Sequence, residues 1–249
     1  MKKLFASDFD NTLYMRDGGI LKETADAIRK FQEAGHIFGI CTGRPVHSPE
    51  KHYGGILDPD FIIGSSGGII IDKEGRTLFE RVMPYDLVRS LETMGKEHHC
   101  YAAVHADGRF ILLETDKTLF PQMERIALAE EVRNLTMHGI SFLTGSVKEA
   151  KAFAEEIRER FPDEVSVHLN RAAADVAPAG CSKGIALKKI AEILGADRTY
   201  GMGDSLNDLP LVENADVGFT FADAPEELKE AASHIVDDAA GAFRIALEE

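Results

Sequence analysis

Between residues 5 and 42 an apolar stretch, an amphipathic stretch and a second apolar stretch follow one another, and this succession restricts the fold more than any other feature of the chain. Phe5-Ala-Ser reads as a short strand that runs into Asp8-Phe-Asp10 and breaks at Asn11, a residue suited to a turn. Lys22 to Ala34 places Ala25, Ile28 and Phe31 on one helical face, and Gly35 follows as a stop. His36 to Thr42 returns as an apolar strand, which Gly43-Arg44-Pro45 ends. Strand, helix and strand so close together make a βαβ unit, which calls for a parallel sheet with right-handed crossovers.

The first strand also carries the first chemical signal. With a period of two, Asp8 and Asp10 share one side of the strand end while Phe9 points inward. Two carboxylates ~4 Å apart repel by about 4 kcal/mol at an effective dielectric of ~20. A site that keeps both has a cation to balance them, or splits their pKa values into an acid and a nucleophile. Taken alone, such a pair also suits the capping of a turn.

Further along, Phe61 to Ile63 and Ile69 to Asp72 read as strands joined by Gly64-Ser-Ser-Gly-Gly68. No helix follows these glycines, so a tight turn is expected there in place of a phosphate cradle. From Met83 the rhythm changes. Tyr85 to His98 and Val147 to Arg160 are helical by pattern, Tyr101 to His105 and Arg109 to Leu113 flank an Asp107-Gly108 turn, and Val165 to Leu169 is a strand. Helices on an antiparallel sheet make residues 83–179 an inserted α+β unit, with Pro84 and Pro178-Ala-Gly180 at its ends. The βα rhythm resumes with a helix over Ser182 to Leu194, a strand over Thr199 to Gly203, a short helix over Leu206 to Glu213, a strand over Val217 to Thr220 and two closing helices. The expected class is therefore α/β: a Rossmann-like, doubly wound parallel sheet formed by residues 1–82 and 180–249, interrupted by the insert.

Charge narrows the partners. With 28 basic against 42 acidic residues the net charge is -14, which disfavours a sequence-independent grip on nucleic acid or an anionic membrane. An anionic substrate must then meet a local cationic pocket. The apolar run at the N-terminus stops at Asp8, short of a signal peptide, and no run reaches the length of a membrane span. Three scattered cysteines, Cys41, Cys100 and Cys181, suit free thiols in a reducing cytoplasm. His98-His99-Cys100 lacks a second cluster at ligand spacing, so no metal site is expected there.

In open parallel sheets, ligands gather outside the carboxyl ends of the strands. Asp8 and Asp10 end the first strand, Thr42 the second, and Asp204, Asn207 and Asp208 follow a later one, while Lys183 opens the helix after the insert. Each has an ordinary structural explanation, capping among them, but four coincidences at strand and helix ends are hard to assign to chance. Asp8-Phe-Asp-Asn-Thr12, Thr42-Gly-Arg44, Lys183-Gly184 and Gly203-Asp-Ser-Leu-Asn-Asp208 resemble, in order and spacing, the four motifs of the haloacid dehalogenase superfamily. The insert is similar to the large cap of its Cof-type branch, close to the sugar-phosphate phosphatases. Where many members carry Asn-Gly-Ala after the third strand, this chain has Ser66-Gly-Gly68.

The resemblance implies a phosphate monoester hydrolase acting on a small metabolite, a sugar phosphate foremost. Asp8 would attack phosphorus and form an aspartyl-phosphate, and Asp10 would serve as acid and then as base. Mg²⁺ would be held by Asp8, the Asp10 main-chain carbonyl and Asp204, with Asp208 or Asn207 completing the shell. Thr42, Gly43 and Lys183 would bind phosphoryl oxygens, and Arg44 would reach the substrate or tie the core to the insert. Asn170, Arg171 and Asp175 are candidates to face the cleft and read the leaving group. A phosphomutase of the same fold is an alternative. A receiver-type regulatory module is a more distant one, since it needs neither a large insert nor an acid two residues after the phosphorylated Asp. A nicotinamide-dependent enzyme lacks its G-x-G-x-x-G after the first strand.

Overall fold

A computed structural model of the chain describes residues 1–113, 124–126 and 129–249. The expected insert, residues 83–179, includes stretches 114–123 and 127–128, which lie outside the described residues. In order, the first elements are β1 (Lys3–Ser7), the small hairpin β2 (Tyr14–Met15) and β3 (Gly19–Ile20), α1 (Lys22–Glu33), β4 (Ile37–Cys41) and α2 (Glu50–Tyr53). The three strands β5 (Phe61–Gly64), β6 (Ile69–Asp72) and β7 (Thr77–Glu80) follow. Next come α3 (Tyr85–Glu97), β8 (Tyr101–Ala106), β9 (Arg109–Leu113), β10 (Glu124–Ile126), β11 (Met137–Leu143), α4 (Val147–Arg160), β12 (Val165–Asn170) and β13 (Ala173–Pro178). The chain closes with α5 (Lys183–Leu194), β14 (Arg198–Met202), α6 (Leu209–Asn214), β15 (Val217–Phe221), α7 (Glu226–Ala231), β16 (His234–Val236) and α8 (Ala239–Glu248).

Among the described residues the larger sheet has the order β16-β15-β14-β1-β4-β5-β6-β7. It is parallel from β16 to β5, as the βαβ pattern requires, and antiparallel at β5–β6 and β6–β7. The departure from an all-parallel sheet has a local cause. Gly64 to Gly68 is a tight turn, with a 3-10 helix over Ser65–Gly67, too short to carry the chain over the sheet.

Strand β1 lies between β14 and β4, so successive crossovers leave it in opposite directions and helices cover both faces. Its alternation divides the core. Phe5 packs with Phe31, Phe38 and Phe243 beneath α1 and α8, whereas Leu4 and Ala6 pack with Leu187, Ile190 and Leu211 beneath α5 and α6. Each of these phenylalanine, leucine and isoleucine side chains, fully buried, contributes roughly 1.5–3 kcal/mol.

The smaller sheet has the order β10-β9-β8-β11-β13-β12 and is antiparallel but for the β9–β10 pair. Leu91 of α3 and Phe153 and Ile157 of α4 bury one face with Val104, Ile140, Phe142 and Val176. The opposite face carries Ala103, His105, Ser141 and Asp175, the residues of alternate parity. The chain crosses between the sheets twice, and the crossings are tied together: Arg81 Nη1 donates to the Ala179 carbonyl at 2.5 Å, and His138 Nε2 lies 2.9 Å from Glu80 Oε2.

Candidate active site

Where β1 ends, the Asp8 amide donates to the Met202 carbonyl at 2.8 Å, which locks the ends of β1 and β14 side by side. Phe9 turns into the core with no exposed surface, and Asn11 takes a left-handed φ of 61°, turning the chain back toward the β2–β3 hairpin. Asp8 is 5% exposed. Asp204 follows β14, and Asp208 sits at the end of a capped turn in which its Oδ2 accepts from the Asp204 and Ser205 amides at 3.2 and 3.1 Å. The turn closes this tightly because residue 203 is glycine: a Cβ there would lie 2.2 Å from that of Asp208.

Lys183 is the first residue of α5, whose start is fixed by Ser182 accepting from the Ile185 amide at 3.1 Å. Gly184 lets α5 approach α6, since a Cβ there would meet the Pro210 carbonyl oxygen at 2.0 Å. The Lys183 ammonium, 1% exposed, donates to Asp8 Oδ1 at 2.5 Å and to Asp208 Oδ1. Carboxylate oxygens of Asp8, Asp204 and Asp208 lie within 4.8 Å of one another. The first and last acidic motifs of the sequence therefore meet on one face of the molecule.

The electrostatics follow from burial. Burial first, and the Asp208 charge second, push the Asp8 carboxyl well above the usual range, against the pull of Lys183. Burial and then Asp208 raise Asp204 to about 6, with Lys183 and Arg171 opposing. For Lys183, burial alone would favour the neutral amine, but Asp208 and Asp8 outweigh it and hold the ammonium well above its ordinary pKa.

Three carboxylates against one ammonium leave two negative charges in a buried pocket, and the donors are all hard oxygens. Both properties fit a divalent cation such as Mg²⁺.

Asp10 stands apart from this cluster. Both of its oxygens accept from Arg44, Oδ2 from Nε at 2.7 Å and Oδ1 from Nη2 at 2.5 Å, a bidentate pair at the rim. The Thr42 amide donates to the Ile63 carbonyl at 2.8 Å, and its hydroxyl accepts from the Arg44 amide at 3.1 Å. Asn207 is 7% exposed and its Oδ1 accepts from the Ser205 hydroxyl at 2.7 Å. Asp8, Asp10, Thr42, Arg44, Arg171 and Asn207 surround a cleft of about 40 Å³. A wider cavity of about 380 Å³ lies between Asp10 and Arg44 on one side and Tyr101, Phe110, Leu143 and Asp175 on the other. Asn170, Arg171 and Asp175 all line it, as expected for residues facing the cleft.

Two features escaped the sequence reading. Ser65 and Ser66 both adopt left-handed φ, 50° and 53°, and the buried Ser66 hydroxyl has no hydrogen-bond partner. Ser65 also begins a buried relay. Ser141 Oγ donates to Asp175 Oδ1 at 2.5 Å, so it accepts from His105 Nε2 at 2.8 Å, which leaves His105 Nδ1 to accept from Ser65 Oγ at 3.1 Å. Burial, then His138, lowers the His105 pKa to about 3, consistent with the neutral tautomer. The close approach is built in at Gly43, whose added Cβ would sit 3.2 Å from Asp175 Oδ2. His98, by contrast, pairs with Glu156 at 3.0 Å, and the only group of potential metal ligands among the described residues is the Asp8 cluster.

The chain is 28% identical over 247 residues to YkrA of Bacillus subtilis, covering 94% of this chain and 91% of that protein. It is 24% identical over 242 residues to YcsE of the same organism, a 5-amino-6-(5-phospho-D-ribitylamino)uracil phosphatase, with coverage of 94% and 90%. It is 26% identical over 246 residues to the HMP-PP phosphatase of Yersinia pseudotuberculosis, with coverage of 92% and 87%. The solved structure of a haloacid dehalogenase-like hydrolase from B. subtilis superposes with a TM-score of 0.88 at 19% identity, over 98% of this chain and 99% of that one. That of a sugar phosphatase of HAD subclass IIB gives 0.83 at 19% identity, over 99% and 100%. Residues 5–241 match the family of haloacid dehalogenase-like hydrolases, and the chain belongs to it, in the Cof-type branch.

Proposed function

We propose that this hydrolase is a Mg²⁺-dependent phosphatase that cleaves a phosphate monoester of a small metabolite, a sugar phosphate foremost, through an aspartyl-phosphate on Asp8. The observation that carries this reading is the meeting of Asp8, Asp204 and Asp208 around Lys183, beside the Asp10–Arg44 pair.

Asp8, Asp204 and Asp208 would hold the metal, with the Asp10 carbonyl and Asn207 nearby in the chain. The bound ion would neutralise the excess carboxylate charge and polarise the phosphoryl oxygens. Asp8 attacks phosphorus in line, which its position at the rigid end of β1 favours. Lys183, held charged, keeps Asp8 oriented and supplies positive potential where charge develops, and the Thr42 hydroxyl and Gly43 backbone line the same opening. Asp10 protonates the departing oxygen and then takes a proton from the attacking water. Both Asp10 oxygens are engaged by Arg44, so this step requires the pair to part, and an incoming dianion offers Arg44 its second partner. Residues 83–179 act as a cap over residues 1–82 and 180–249, choosing the leaving group and excluding water. The relatives' action on a phosphoribitylaminouracil and on HMP-PP supports a small phosphorylated substrate.

The test is release of inorganic phosphate from a broad panel of sugar phosphates, nucleotides and cofactor phosphates, with and without Mg²⁺. Turnover is expected with Mg²⁺, silenced by a chelator, and absent in Asp8→Asn despite an unchanged fold by circular dichroism. Asp8→Asn releasing phosphate near the parent's rate would rule out the covalent route.

A further inference from the structure

Strands β12 and β13 pair with Asn170 opposite Ala173, so residues 171 and 172 form a two-residue hairpin loop. Such loops place residues at positive φ, where glycine, asparagine and aspartate are the economical choices. Here the position is held by Arg171 at φ 54°. Packing does not call for a long side chain, because Arg171 is exposed, and its guanidinium forms no hydrogen bond or ion pair with any described residue. An unpaired arginine held on left-handed backbone is a departure from local preference, and such departures gather at functional sites.

Its surroundings point to the ligand. Arg171 lines the small cleft together with Asp8, Thr42 and Asn207, as well as the wider cavity, and its charge is felt at Asp204. The other cations of the small cleft and its floor are already matched, Lys183 by Asp8 and Asp208, and Arg44 by Asp10. A phosphoryl dianion entering there meets one guanidinium with its donors free. We infer that Arg171, carried by the β12–β13 loop, is a phosphoryl-binding residue that grips the non-bridging oxygens of the transferring group from the side opposite Lys183. The fork of a guanidinium suits two such oxygens at once. The role rests on the phosphatase reading and differs from recognition of the leaving group, since it acts on the part shared by every substrate.

The test uses the full chain with Mg²⁺ and the variants Arg171→Gln, Arg171→Lys and Arg171→Gly. The probes are inorganic phosphate, titrated calorimetrically, and a set of esters with unlike leaving groups. Arg171→Gln should weaken phosphate binding roughly tenfold to a hundredfold, the range for a hydrogen-bonded charge pair. It should lower kcat/KM by one common factor across the esters, and Arg171→Lys should recover part of both. Arg171→Gly should melt no lower than the parent, so that its loss of phosphate binding is not a loss of fold. Unchanged phosphate affinity in Arg171→Gln would overturn the inference, as would a loss that varies from ester to ester, which would make Arg171 a reader of the leaving group. If the parent hydrolyses no ester, the phosphatase reading falls, and the phosphate titration still decides: weaker binding in Arg171→Gln upholds an anion site, and equal binding overturns it.

Discussion

Replacing Lys183 with methionine probes the charge balance on which the site depends. Lys183, Asp8 and Asp208 are 1%, 5% and 0% exposed, and the ammonium donates to both acids. Methionine keeps most of the packing of the stem and removes the charge, so two buried carboxylates are left facing each other. Removing one partner of a buried ion pair costs about 3–5 kcal/mol. For a chain of this size about 2–4 °C of melting temperature corresponds to each kcal/mol, so Lys183→Met should melt roughly 6–20 °C lower in a chelator at pH 8.

The deficit should shrink as the pH falls. Asp8 is already pushed up by burial and by Asp208, and loss of Lys183 removes the main opposing charge. A folded-state pKa above the unfolded one means that the folded variant binds the extra proton, so its stability rises as pH drops toward the unfolded value. Mg²⁺ should narrow the gap as well, since without the ammonium the carboxylates hold the cation more tightly, and each tenfold gain in affinity over the parent adds about 1.4 kcal/mol to the variant alone. Thermal melts of parent and variant at pH 8 and 5.5, each in chelator and in Mg²⁺, read all of this. A variant within a degree or two of the parent in chelator at pH 8, or an equal deficit at both pH values, would refute the reasoning.

Two further expectations concern protons. Metal ligands must be ionised, and Asp204 is raised to about 6 by burial and Asp208, so Mg²⁺ affinity should fall by up to about tenfold per pH unit below pH 6; isothermal titration between pH 7.5 and 5 checks this, and a flat affinity counts against Asp204 as a ligand. Burial lowers His105 to about 3 and His168 to about 4, whereas unfolded imidazoles titrate near 6.5. The unfolded chain therefore binds these protons first, their contribution is full above about pH 7, and at pH 5 the two together cost about 4 kcal/mol. Urea unfolding of the parent and of His105→Gln at both pH values isolates the first imidazole; a parent that loses no more stability than the variant contradicts the assignment.

Much of the core was legible because its signals are local. Ala25, Ile28 and Phe31 mark the buried face of α1, and the helix read over Ser182 to Leu194 is found as α5, with Ser182 as its cap. The acids at strand ends could be grouped because β1, β4 and β14 are neighbours in a parallel sheet, a topology the βαβ rhythm implies. The second sheet was less legible. Strand β13, Ala173–Pro178, is half alanine and holds an acid and a proline, a composition that hides its period of two, and β11 carries a glycine within it. Without these strands the register that sets Asp175 opposite Ser141 is unavailable, and so is the relay to His105. The bidentate grip of Arg44 on Asp10 was likewise beyond reach, because it depends on how two loops from different strands turn back.

That relay, from Ser65 in the turn after β5 to Asp175 on β13, bears on what it costs to separate the two sheets. All four groups are buried or nearly so, and each hydroxyl or ring nitrogen finds its partner in the next. Parting the sheets severs the Ser65–His105 contact, and each stranded polar atom costs about 1–3 kcal/mol until water reaches it. The relay therefore weights the balance toward the observed arrangement, and the Ser65 hydroxyl is one of the atoms that any separation would strand.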